Sequence, residues 1–103
     1  MTREVRLTDK FLLDAVQQFR NERGPNGEPN AQDFFDHDLT TIRFVFGEMW
    51  DTLDLWQGHP RYRERHIQGT VAYMYYVVGQ ALPDLSIELI ELGVEHEWPD
   101  DLI

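Results

Sequence analysis

Cysteine is absent from the 103-residue sequence, which excludes disulfides, thiol catalysis and cysteine-ligated zinc. Lysine is nearly absent too: Lys10 stands alone beside eight arginines. Nine basic residues face 19 acidic ones, for a formal net charge of −10. A chain this acidic lacks the basic footprint that direct nucleic-acid binding requires. No apolar run is long enough to span a bilayer, and the opening MTREVRLTDK develops no apolar signal-peptide core. A soluble, cytoplasmic protein without membrane contact is expected. Internal repeats and low-complexity segments are lacking as well.

Apolar residues make up 42% of the chain, enough to build the core of a single domain spanning 1–103. The surplus of acids keeps such a domain soluble, and it also permits a basic protein as partner, steered by charge.

Residues suited to chemistry are present but scattered. His37, His59, His66 and His96 fall in no ligand spacing such as HExxH. Asp33 and His37 stand one helical turn apart, and further ligands would have to come from elsewhere. The carboxylate pairs Glu95/Glu97 and Asp100/Asp101 sit in an acidic tail and read as solvated, so nothing shields them for acid–base work. GPNGEPN (24–30) lacks the lysine and the strand–helix frame of a phosphate loop. The expectation is a protein that is not an enzyme, with no cofactor and no metal.

Apolar periodicity predicts an all-α fold, a small bundle of about four helices with a long central one. Thr8 caps a first helix over 8–23, with Leu12, Ala15, Val16 and Phe19 at helical spacing and Gly24 beyond its end. After the loop 24–30, Asn30 caps a second, with Asp33 in the reciprocal position. Phe35, Leu39, Ile42, Phe46, Met49, Leu53 and Trp56 then alternate steps of four and three, which predicts one helix over 31–57. Pro60 can open a third, in which Ile67, Val71, Met74, Val78 and Ala81 keep the same steps until Pro83. Asp84 can cap a fourth, carrying Leu85, Leu89 and Leu92 and ending at Gly93. Trp98 is the one large anchor of the tail.

A strand alternative competes with this. YRERHIQG (62–69), TVAYMYYVV (70–78) and LSIELIEL (85–92) could form three antiparallel strands after two helices. Their order and length resemble the RelE/ParE toxin superfamily, a resemblance that would make Arg61, Arg63 and Arg65 the residues acting on RNA. Those toxins are typically basic, however, and the alternation of 85–92 breaks at Ile90, whereas the series from Ile67 to Ala81 does not break.

On helical faces, some residues point away from the core series. Phe44 and Leu55 project opposite to the apolar side of 31–57. On the third helix Arg65, Gly69, Ala72, Tyr73, Tyr76 and Gln80 form a second face, with Tyr62 beside it. Small residues admit close approach, and tyrosine and arginine are favoured in interfaces. These nine residues are the expected partner or dimer interface.

The helix layout carried by DLTTIRFVFGEMWDTLDLW, HIQGTVAYMYYVVGQ and LSIELIELG resembles the small all-helical antiactivators of LuxR-type quorum-sensing regulators, of the TraM and QslA kind. The resemblance implies a homodimeric, stoichiometric inhibitor that binds a transcriptional regulator and blocks its dimerisation or its hold on DNA. It carries over no individual contact residue. Two further functions fit the sequence: an acidic decoy, DNA mimic or anti-defence protein that occupies a basic nucleic-acid-binding surface, and a RelE-like toxin.

Overall fold

In the computed structural model, which describes residues 2–99, the chain is α+β. Strand β1 (Val5–Leu7) leads into helix α1 (Asp9–Gln18), then α2 (Ala31–Asp36) and α3 (Asp38–Glu48). A two-residue strand β2 (Asp54–Leu55) follows, and then β3 (Tyr62–Gln68), β4 (Met74–Ala81) and β5 (Ile87–Glu95). The strands form one sheet in the order β1-β5-β4-β3-β2. Only the β1–β5 pairing is parallel.

The all-α expectation is therefore overturned, and the reasons are physical. The first helix stops at Gln18 instead of Arg23. Phe19 turns extended (φ −116, ψ 158) to stack its ring on Phe34 at 5.3 Å, and the Arg20 carbonyl accepts from the Ala31 amide. The Thr8 cap is as expected, its hydroxyl accepting from the Phe11 amide. So is the capping box at Asn30 and Asp33, to which Arg23 adds a two-pronged ion pair. That ion pair and the Asn30 amide hold the Asp33 carboxyl at about 2.

The single helix expected over 31–57 breaks twice. At His37 the backbone leaves the helical region (φ −121, ψ −74), separating α2 from α3. After Glu48 a 3-10 turn at Trp50–Thr52 drops Leu53 into the core. One Arg63 guanidinium nitrogen donates to the carbonyls of Trp50, Asp51 and Leu53, and the group lies over the Trp50 ring at 5.5 Å. These carbonyls thus find their partner in β3 and not in a further helical turn.

The stretches expected as the third and fourth helices are β3, β4 and β5, which overlap the spans of the strand alternative, although β4 starts four residues and β5 two residues later than it placed them. Tyr75, Val77, Ile87, Leu89 and Leu92 point to the helix side of the sheet and are all but inaccessible there. Gly79 faces the same way. A Cβ on it would stand 2.8 Å from the Phe46 ring, so glycine permits α3 to lie this close. The core consists of that face together with Phe11, Ala15, Phe19, Phe34, Ile42, Phe46 and Trp50.

One buried carboxylate joins the layers. Asp38, 4% exposed, opens α3 and accepts from the Thr70 amide (3.0 Å), the Thr70 hydroxyl (2.7 Å), the Val71 amide (2.7 Å) and the Tyr75 phenol. Burial alone would raise its pKa, but the hydrogen bonds from Tyr75, Thr70 and Val71 outweigh burial and hold it below the ordinary value. Burial and Asp38 push the Tyr75 phenol the other way, upward.

Two stability measurements check this description. Asp38→Ala strands a buried phenol and two amides and should cost roughly 3 kcal/mol in denaturant unfolding, with Tyr75→Phe costing less. Leu85, in the β4–β5 turn, holds the left-handed conformation (φ 73) while 56% exposed. Leu85→Gly relieves that backbone without loss of packing and should stabilise by about 0.5–1 kcal/mol.

Candidate partner-binding face

Helices α2 and α3 pack over one side of the sheet, through Phe34 on Tyr75 and Phe46 on Gly79. Helix α1 runs along the edge of β5, where Asp14 and Gln18 bond the Leu92 and Val94 backbone. Alternation along the strands assigns the other side. Tyr62, Glu64 and His66 of β3, Met74, Tyr76, Val78 and Gln80 of β4, and Glu88, Glu91, Gly93 and Glu95 of β5 share this outer face through their paired register. Ile90 is an extra residue: Val78 pairs with Glu91 and Gly79 with Leu89, so the ladder slips there. This is a β-bulge, and it sets Ile90 beside Glu91 in the wall of an outer-face cleft.

One side chain covers part of the outer face. The chain turns after β2 through Gln57 (φ 48) and Gly58 (φ 77), both left-handed. This brings Trp56 against His59 (5.6 Å) and Tyr62 (5.8 Å). Trp56 and Val78 line a cleft of about 360 Å³ with Thr8, Lys10, Ile90 and Glu91, and Val78 is only 2% exposed. A second, shallow cleft of about 340 Å³ continues along the face past His66, Met74, Tyr76, Gly93 and Glu95.

Tyr76 stands between the two. Its ring meets His66 at 5.0 Å, and its hydroxyl donates to Glu64 Oε2 at 2.8 Å. Its pKa is pushed up to about 12, first by burial and then by the Glu64 carboxylate, with Glu91 adding to the rise and the Trp56 indole opposing it. Around this aromatic strip lie Glu64, Glu88, Glu91 and Glu95. Among the described residues none of these four is ion-paired, whereas Arg6 and Lys10 are bound to Glu4, Asp84 and Asp14.

The nine expected interface residues are dispersed, because a strand alternates every residue where a helix turns by 100°. Tyr62, Tyr76 and Gln80 do come together on the outer face, with Tyr62 paired across from Gln80. Arg65 lies on β3 but faces the helix side, as Arg63 does. Gly69 and Ala72 form the β3–β4 turn, with Ala72 buried at 1%. Tyr73 closes that turn and packs on Trp98 at 5.3 Å. Leu55 is exposed on the edge strand β2, and Phe44 is exposed on α3. Sequence reasoning missed Trp56, Glu64, His66, Glu91 and Glu95. The available signal was period-2 placement of Tyr62, Glu64 and His66 against Tyr76, Val78 and Gln80.

Elsewhere, a larger cleft of about 580 Å³ lies between the end of α1, the 24–30 loop and the C-terminal segment, with Phe19, Arg20, Val71, His96 and Trp98 in its walls. Its polar groups satisfy one another: Gln18 bonds the Leu92 carbonyl and the Val94 amide, His96 meets the Gln18 carbonyl at 2.6 Å, and Arg20 faces Glu28. Nothing in it converges on a ligand, so size alone does not make it the site. Among the described residues no three histidine, aspartate or glutamate side chains gather as metal ligands would. No helix there is long and apolar enough to cross a membrane. Asp100 and Asp101 lie outside the described residues.

The Tyr76–Glu64 pair gives a titration test. The phenol is raised in the folded chain, so its contribution to stability is complete below the unfolded value of about 10 and fades as pH climbs from there to about 12. Phenolate absorbance should show one tyrosine with a midpoint near that upper value, lost in Tyr76→Phe and moved down in Glu64→Gln.

Set against known proteins, the chain matches no family model, no curated protein and no solved structure.

Proposed function

We propose that this chain is a non-catalytic protein-binding module whose outer sheet face takes a positively charged protein surface. One observation carries the proposal. The face left open by the helices is an aromatic strip of Trp56, Tyr62 and Tyr76 bordered by Glu64, Glu88, Glu91 and Glu95, with no ion pair on any of those acids among the described residues. Aromatic anchors supply contact area and acids select a basic partner and speed the encounter. A basic surface built to hold DNA meets these demands, so the favoured role is sequestration of a transcriptional regulator by masking its nucleic-acid-binding surface. The quorum-sensing antiactivator likeness adds nothing to this, because the helix layout it rested on is absent. The RNA-acting arginines of the toxin alternative are no better supported: Arg63 is engaged with carbonyls beneath the sheet, and Arg65 faces the same side.

The test is a titration of the chain with a lysine- and arginine-rich amphipathic peptide, read by tryptophan fluorescence, beside an acidic peptide of matched length. Binding to the basic peptide alone is expected. It should weaken steeply with added salt and fall about tenfold or more in Glu91→Lys/Glu95→Lys and in Trp56→Ala. Affinity purification from the native host should recover a basic nucleic-acid-binding protein with wild-type bait and lose it with the substituted baits. Equal binding of both peptides, or indifference to the three substitutions, would sink the proposal.

A further inference from the structure

Both edge strands of the sheet are short, so β5 and β3 extend past them, and the chain treats the two exposed flanks differently. Strand β1 pairs with residues 87–89 of β5 and goes no further. Beyond it, α1 supplies side chains in place of a strand. Asp14 accepts from the Leu92 amide at 3.0 Å, and Gln18 donates to the Leu92 carbonyl at 2.6 Å and accepts from the Val94 amide at 2.8 Å. An open edge invites pairing with other chains, and this one is closed. The flank of β3 has no such cover. Strand β2 pairs with Arg63 and Glu64 alone, so residues 65–68 are partnered only by β4. The Arg61 carbonyl accepts from the Ala81 amide, and the Gly69 amide donates to the Tyr73 carbonyl. These two bonds fix the phase of the ladder: odd-numbered residues of β3 turn their backbone groups to β4, and even-numbered ones turn them away. The N–H and C=O groups of His66 and Gln68, both exposed residues, therefore point off the sheet, and no described residue bonds them.

We infer, resting on the reading of the outer face as the site for a basic protein, that an extended segment of that partner adds to the open flank of β3 as a further strand, in line with β2. Unmet backbone groups call for an extended backbone, which alone presents donors and acceptors at the matching repeat. Charge selects the side chains. The added residue opposite His66 projects to the outer face, as His66 does. It lies diagonal to Glu64, and two places along the same track from Asp54, which is exposed and pairs with Glu64. Neither carboxylate is ion-paired among the described residues. A lysine or arginine at that place meets both. The flank also adjoins the cleft lined by His66 and Tyr76, so an added strand widens the outer face. A second copy is the poorer occupant, because each copy carries a net charge of −10 and repels the other.

The probe is a short peptide of alternating lysine and valine, titrated into the full chain by calorimetry. Two methylated forms accompany it, one N-methylated at every lysine amide and the other at every valine amide. An added edge strand uses alternate amides only, so one form should lose about tenfold or more in affinity while the other binds as the parent does. Gln68→Pro removes an N–H aimed off the sheet and spares the β3–β4 ladder. It should weaken the parent peptide about tenfold with an unchanged circular dichroism spectrum. Asp54→Asn/Glu64→Gln should lower affinity and flatten its salt dependence while keeping the methylation pattern. Equal behaviour of the two methylated forms overturns the inference, whether or not Gln68→Pro folds. So does a folded Gln68→Pro chain that binds as tightly as wild type. If the peptide still depends on Trp56 in those cases, the outer-face reading stands and strand addition alone falls. If no basic peptide binds, both fall. Dimerisation of the chain without peptide, lost in Gln68→Pro, gives the flank to a second copy and also overturns the inference.

Discussion

The Asp38 carboxylate is the point on which the layers of this protein depend. It belongs to α3, yet every donor it gathers comes from the β3–β4 turn or from Tyr75 at the start of β4. A buried charge is tolerated only when its lone pairs are filled, and here an amide pair, a hydroxyl and a phenol fill them. The consequence is directional. The N-terminus of α3 is tied to one end of the hairpin while Phe46, near the other end of α3, seats against Gly79. The helix is thereby laid along one side of the sheet, and the opposite side is left to whatever the chain meets.

Local signals in the sequence were legible where they act locally. Thr8, Asn30 and Asp33 cap the helices that their side chains announce, and the 24–30 segment is a loop. The failures share a cause in contacts between distant residues. Phe19 ends α1 because Phe34 offers it a ring, and helix is not resumed after Glu48 because Arg63, far along the chain, collects the carbonyls of Trp50, Asp51 and Leu53. The regular steps from Ile67 to Ala81 are a coincidence spread over two strands and a turn. Ile67 faces the core from β3, Val71 sits in the turn, and Met74 and Val78 face outward from β4. Strand alternation was hidden there because Val78 is covered by Trp56, which makes both faces of β4 apolar. Of the candidate interface, only Tyr62, Tyr76 and Gln80 were recoverable as a group.

Acidity and architecture bear on each other. A helix layer on one face would ordinarily be answered by a second layer or by polar side chains on the other. This chain answers with aromatic rings set among carboxylates, and it uses a single tryptophan from the edge of the sheet as a partial cover.

The slip at Ile90 has a meaning beyond the break in alternation that it produces. β5 is flanked by β4 along its length and by β1 at its start, so its first three residues are gripped from both sides. The extra residue lets Leu89 and Leu92, three apart, both enter the core. Shortening β5 by one residue would not simply heal the ladder. Either Ile87 and Leu89 would turn outward and drag β1 with them, or Leu92 and Val94 would. The strand is a joint between two phases of one sheet, and it leaves the chain with almost no freedom of length between Ile87 and Glu95, whereas the loop before α2 can vary at little cost.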